Sequence, residues 1–163
     1  MTEAGKTEPM ACRRCNEALN EFRAELADGA FTGEIQYVHV FEDAHDHAPE
    51  PRPAAEVPEE DLVFHCDFCS STAVKWCYWA DPIKIAVLDD EDRVREGSGF
   101  SIDWAACQRC ADLIVLKAID RLADRAVSCQ GLPADMREPQ IDLYIEFFAT
   151  RKPGRRRIKR RRT

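Results

Sequence analysis

A chain of 163 residues has the length of one ordinary domain or two very small ones, and charged residues make up 33% of it, above the roughly one quarter of average soluble domains, which argues against a single large apolar core. The net charge of −7 conceals an asymmetry: residues 1–150 carry 14 basic and 30 acidic side chains, whereas the last 13 residues, RKPGRRRIKRRRT, carry nine Lys or Arg and no acid. The first residues are polar and acidic, and the longest aliphatic runs, IAVL at 85–88 and LIVL at 113–116, have four residues each, so neither a signal peptide nor a membrane span is expected and the reading is a cytoplasmic chain.

Behind the polar lead stands the pair CRRC at 12–15. In the following NEALNEFRAELADGAF, Leu19, Phe22 and Leu26 fall on one helical face and Gly29 supplies a stop, predicting a helix over 17–27. EIQYVHVF alternates, placing Ile35, Tyr37, His39 and Phe41 on one side of a strand. The segment EDAHDHAPEPRPAAEVPEED has four prolines and no apolar periodicity, and it reads as an extended linker. These features divide the chain into an N-terminal module at 10–50, a proline-rich linker at 51–60, a second module at 61–150 and a basic tail at 151–163.

The second module opens with LVFHCDFC, followed by strand-like AVKWCYW and IKIAVL, an acidic turn DDEDRVREGSG, and the short strand FSIDW. AACQRCADLIVLKAIDRLADRAVSCQG predicts one long helix with a stripe of Leu113, Leu116, Ile119, Leu122, Ala123 and Ala126, and Gly131 just past its end. EPQIDLYIEFFATRKPG places Ile141, Tyr144, Ile145 and Phe148 at helical spacing, in a helix that packs back on the body because one of this length is marginal alone. The dense cations that follow predict a solvated, disordered arm.

Three Cys-x-x-Cys pairs carry the chemistry. Paired cysteines in a reducing compartment hold metal or do redox work more often than they form disulfides, and a redox pair of the thioredoxin kind needs one Cys-x-x-Cys in a βαβ setting that this chain lacks. Zinc needs four donors at tetrahedral corners, and Cys66, Cys69, Cys107 and Cys110 supply one complete set. The strand-like segments between them can fold back as a hairpin to join the pairs, and Cys107 and Cys110 stand at a helix start, where backbone N–H groups stabilise thiolate. A knuckle, a hairpin and a helix bearing the last two ligands is a treble-clef zinc arrangement. Cys12 and Cys15 need two more donors, which His39, His45 and His47 can provide. His39 with His45 has five residues between and fits the usual His-x(3–5)-His spacing, whereas His39 with His47 has seven. Cys77 and Cys129 read as structural, and His65 as packing or a hydrogen bond beside the ligands.

YVH, DHAPEP, CDFCS, a tryptophan-rich strand, DWAACQRCADLI and RLADRA, in that order over about residues 10–127, resemble small zinc-ribbon-like and treble-clef-like proteins of actinobacteria and their phages. The resemblance implies metal binding and makes His47, in its Asp-His-x-Pro stretch, the partner of His39; it implies no activity. The expected fold is thus a small α+β zinc-binding protein with two zinc ions: a treble-clef or zinc-ribbon-like module, a second N-terminal zinc module and a basic disordered tail.

A shell of four cysteines leaves no open position for a reacting water, no histidine lies between Cys69 and Cys110 to act as the general base of a treble-clef nuclease, and no Ser/His/Asp set or Gly-rich phosphate loop is present. The expectation is a non-enzymatic accessory or regulatory protein. Arg151, Lys152, Arg155, Arg156, Arg157, Lys159, Arg160, Arg161 and Arg162 can follow a nucleic-acid backbone and release its counterions. The alternative is a zinc-stabilised adaptor whose acidic body binds a cellular or host protein. Trp76, Trp79 and Trp104 could stack on bases, but in strands of a small domain they read first as core.

Overall fold

The computed structural model describes residues 8–25, 31–40, 45–81, 83, 86–88, 94–96 and 103–159, and the chain divides between Val63 and Phe64 into two compact units. In the first, the described strands are β1 (Met10–Cys12), β2 (Asn20–Glu25), β3 (Phe31–Val38) and β4 (Pro51–Pro53). β2 and β3 form an antiparallel hairpin with Asn20 opposite Val38, and β1 pairs antiparallel with β4, with Cys12 opposite Pro51.

The helix predicted over 17–27 is replaced over Asn20–Glu25 by strand β2, while Leu26 and Gly29 lie outside the described residues. The backbone entering this segment is already committed elsewhere, because the Ala18 N–H donates to the Val63 carbonyl at 3.0 Å and the Leu19 N–H to the Met10 carbonyl at 2.9 Å. Pairing with β3 then outweighs a weak helical stripe. The strand predicted from EIQYVHVF is present up to Val38 as the end of β3, with His39 buried just beyond it and Phe41 outside the described residues. The proline-rich segment is also corrected, since it is an integral edge of this unit and no linker. Pro51 and Pro53 donate nothing, yet their neighbours close the ladder: the Arg13 N–H reaches the Glu50 carbonyl and the Ala54 N–H reaches the Pro9 carbonyl, both at 2.8 Å.

The second unit begins with a turn carrying Cys66 and Cys69 and continues into β5 (Val74–Trp79). β6 (Ala86–Leu88) pairs with β7 (Val94–Glu96), and β8 (Asp103–Cys107) returns antiparallel to β5. The long helix predicted after Cys107 is two helices, α1 (Gln108–Val115) and α2 (Ile119–Gln130). Lys117 takes a left-handed φ of 52°, its N–H bonds the Ile114 carbonyl, and the Ala118 N–H bonds the Leu113 carbonyl at 2.9 Å, a Schellman ending built without glycine. The apolar stripe hid the break because Leu113 and Ile114 before it, and Leu122, Ala123 and Ala126 after it, are all buried, whereas Leu116 is 67% exposed.

α3 (Arg137–Thr150) forms as predicted, but it buries Tyr144 and Phe147 and turns Ile145 outward. The face is set by an aromatic cluster: Phe147 lies 4.8 Å from Trp104 and 5.3 Å from Phe68, and Phe68 lies 5.2 Å from Tyr144, in tilted and edge-on geometries. Among the described residues no helix is long and apolar enough to cross a membrane.

The basic tail departs most from expectation. Over its described part it is no free arm, because β9 (Arg156–Arg157) adds to the sheet in the order β8-β5-β9, with Trp76 opposite Arg157 and Cys77 opposite Arg156. The Lys152 N–H bonds the Trp79 carbonyl at 2.8 Å, the Ile158 N–H bonds the Lys75 carbonyl at 3.0 Å, and the Ile158 side chain is buried in the core. One apolar residue among the cations anchors the segment. Ile158→Ala is therefore expected to cost about 2–5 kcal/mol in urea unfolding of the metal-loaded protein, and half-exposed Ile145→Ala within about 0.5 kcal/mol. Equal stability of both variants would show the tail undocked.

Candidate metal centres

Cys66, Cys69, Cys107 and Cys110 are buried and offer their sulfurs within 4.8 Å of one another. The turn delivers the first two: the Ser70 N–H bonds the Cys66 carbonyl at 2.7 Å, the Cys66 N–H bonds the Ser71 carbonyl at 2.9 Å, and Ser70 takes a φ of 61°. The register of β5 and β8 delivers the others by placing Cys107 opposite Val74, just after the turn, and the first turn of α1 then brings Cys110 to the same side. A tetrahedral ion with metal–sulfur bonds of about 2.3 Å requires sulfurs about 3.8 Å apart. Cys69 and Cys107 Sγ are separated by 3.7 Å.

Protons are shared unevenly in this set. Hydrogen bonds from Cys110, Cys66 and Cys69 hold the Cys107 thiol far below its usual range, while the bond to Cys107 pushes Cys66 and Cys110 upward. Four sulfurs so close cannot all ionise without a cation among them. Arg125 on α2 supplies part of the compensating charge from outside, with a guanidinium nitrogen 3.6 Å from Cys69 Sγ. His65 braces the turn by donating from Nδ1 to the Ser70 carbonyl at 3.1 Å, the hydrogen-bonding role expected of it.

Cys12, Cys15, His39 and His47 form the second set. The turn repeats the first: the Asn16 N–H bonds the Cys12 carbonyl at 2.9 Å, the Cys12 N–H bonds the Glu17 carbonyl at 2.8 Å, and Asn16 has a φ of 60°, with Arg52 donating to its side-chain oxygen. Nε2 of His47 is 3.5 Å from Cys12 Sγ, and Nε2 of His39 is 3.5 Å from Cys15 Sγ. Tetrahedral bonds of about 2.3 Å to sulfur and 2.0–2.1 Å to nitrogen require about 3.6 Å. His47 is oriented by its other nitrogen, which donates to Asp46 at 3.0 Å and leaves Nε2 facing the sulfurs. Desolvation opposes ionisation of Cys12, but hydrogen bonds from the backbone of Glu50, Cys15 and Arg14 and from His39 bring its thiol down to about 5.

The third histidine has a different partner. His45 Nε2 lies 2.8 Å from a carboxylate oxygen of Glu17, whose other oxygen accepts the Val40 N–H at 3.0 Å, and the His45 ring stacks on His39 at 3.8 Å. Glu17 is only 3% exposed. Sequence reasoning missed it because an acid two residues after a Cys-x-x-Cys carries no signal of burial. Arg125 was missed because an arginine beside the apolar stripe of a helix reads as an ordinary surface position. Cys77 and Cys129 stand apart from both sets, Cys77 buried in β5 with its thiol raised to about 11 by desolvation and Cys129 exposed on α2.

Several of the predicted nucleic-acid cations are engaged by the fold. Arg155 lies over Trp76 at 3.8 Å and donates to the Tyr78 hydroxyl, Arg151 lies over Phe148 and Tyr78, and Lys152 pairs with Asp81 at 2.6 Å. Arg156, Arg157 and Lys159 are exposed, and Arg160, Arg161 and Arg162 lie outside the described residues. Trp104 is core, as expected of the tryptophans, whereas Trp79 is 37% exposed and Trp76 carries the arginine.

No family model, curated protein or solved structure matches the chain. The two donor sets therefore rest on their own geometry. Elemental analysis should give two metal ions per chain, falling to one in Cys107→Ser and in His47→Ala and staying at two in His45→Ala, Cys77→Ala and Cys129→Ala. Two ions retained in His47→Ala would reject the second set.

Proposed function

We propose that the chain is a non-enzymatic accessory protein, stabilised by two zinc ions, that attaches to nucleic acid through the basic residues after Thr150. The observation that carries the metal part is the match of the 3.7 Å sulfur–sulfur and 3.5 Å sulfur–nitrogen separations to tetrahedral coordination. A set of four cysteines, and one of two cysteines with two histidines, suit zinc at such distances, because zinc has no redox chemistry and no geometric demand beyond the tetrahedron. Turn, hairpin and helix in that order support a treble-clef reading of the second unit. The four thiolates complete a shell there and leave no position for a reacting water, which favours a structural role.

The attachment part is supported by the fixed presentation of cations on β9 and next to it. A short edge strand lined with Arg holds its charge in register along the sheet, where phosphate oxygens can meet it, and backbone contacts of this kind carry affinity without reading sequence. Removing residues 151–163 would take away a strand and Ile158, so the informative truncation ends the chain at Lys159. It deletes Arg160, Arg161 and Arg162. If those three engage phosphates, the slope of log affinity against log salt on duplex DNA should become shallower by about 2.7. Absence of binding by the full chain to mixed DNA and RNA at ~50 mM salt, where counterion release is strong, would favour the protein-adaptor reading instead.

A further inference from the structure

The second unit holds another basic feature, outside the tail and outside both donor sets. α1 and α2 border a cleft of about 290 Å³ whose lining includes Arg109, Arg121, Arg125 and Ser128. Three arginines in one cleft are unexpected on a body with 30 acids and 14 bases. Arg121 and Arg125 stand four residues apart on α2, an arrangement that brings like charges together and destabilises a helix unless something negative joins them.

The one acid lining the cleft is already used. Asp124 accepts from Nε of Arg137 at 2.7 Å, and the same guanidinium reaches Asp120 at 3.0 Å. Arg137 is the shared partner of these two carboxylates, and the lining itself holds three arginines against one acid, leaving the cleft positive. Arg125 spends one nitrogen on Cys69, and its buried Nε–H has no hydrogen-bond partner. The volume suits a small anion better than an extended organic ligand.

We propose that this cleft seats a phosphate oxyanion, with Arg109, Arg121 and Arg125 as its cationic walls and the Ser128 hydroxyl as a further donor. Guanidinium forks match phosphate oxygens in pairs, which a point charge cannot do. The source of the phosphate rests on the nucleic-acid reading above, and geometry supports the link. Arg155 lies on Trp76, the Trp76 indole N–H donates to Gln108 Oε1 at 3.0 Å, and Arg109 is the next residue of α1. The tail's contacts and the cleft thus meet at neighbouring residues of the start of α1.

The test uses the full, metal-loaded chain with two probes, a mixed-sequence single-stranded oligonucleotide and pyrophosphate. Arg109→Gln/Arg121→Gln is the test variant, because both residues are exposed; Arg125 is left intact for its contact with Cys69. Lys117→Gln, at the exposed turn between the helices, is the charge control. Near-ultraviolet circular dichroism and metal content confirm that each variant is folded. Loss of two phosphate contacts should make the oligonucleotide salt slope shallower by about 1.4, with less than half that change in the control. Pyrophosphate should shift the side-chain Nε–H resonances of Arg121 and Arg125 saturably, and the Arg125 shift should vanish in the double variant. Oligonucleotide binding with an unchanged slope in that variant overturns the cleft while leaving the tail reading in place. Saturable pyrophosphate shifts without oligonucleotide binding keep the cleft, with free phosphate as its ligand, and remove the nucleic-acid reading. Absence of both removes the two together.

Discussion

The second unit depends on four sulfurs being held at one point by two segments far apart in sequence. The turn that carries Cys66 and Cys69 also carries Phe68, which is fully buried, stacks among Trp104, Tyr144 and Phe147, and offers its carbonyl to the Tyr144 hydroxyl at 3.3 Å. The backbone of Asp67, between them, exchanges with β8, its N–H bonding the Ala105 carbonyl while its carboxylate accepts the Ala105 N–H. Metal site and aromatic core are thus the same few residues seen from two sides. Structural zinc in small peptides is worth about 10–16 kcal/mol in apparent terms, as much as the whole stability of a typical domain, about 5–15 kcal/mol. An ion of that kind bound to the four sulfurs would make folding of this unit and filling of the shell one event.

Both units solve the same local problem in the same way. The Cys-x-x-Cys turns at 12–15 and 66–69 each close with an N–H from the residue after the second cysteine to the carbonyl of the first, and with the first cysteine's N–H reaching five residues ahead. That closure requires the residue after the second cysteine to be left-handed. Asn16 and Ser70 take that conformation, and Asn is among the side chains that tolerate it best. Arg52 further holds the Asn16 side chain. The turns aim two sulfurs each, and what completes each shell differs: a strand–helix junction in one unit, two histidines in the other.

The donor sets were legible because coordination chemistry restricts residue type and spacing so tightly, and the β5–β8 hairpin was legible because the thiols had to meet. Spacing alone pointed to His45; the structure brings in His47 and gives His45 to a buried Glu17, a choice that backbone geometry makes and a spacing rule cannot. The helix at 17–27 failed because pairing with β3 claims Asn20–Glu25. The unbroken helix after Cys107 failed because apolar periodicity reports which side chains are buried, and burial continues across the turn at Lys117. Proline at 51 and 53 marked an extended segment correctly but not its partner, since the bonds come from Glu50 and Ala54.

Charge patterning misled most at the C-terminus. A run of like charges was expected to stay in water, yet within RKPGRRRIKRRRT the single apolar Ile158 is buried and Arg155 and Arg151 spread over aromatic faces. A guanidinium can do this because it is planar and weakly hydrated, so it covers Trp76 while its charge stays at the surface. Cations also suit an exposed edge strand, where they discourage pairing with another chain. The same row therefore serves the fold. Arg155, Trp76 and Gln108 then stand as successive contacts of one folded surface, in which the tail contributes position as well as charge.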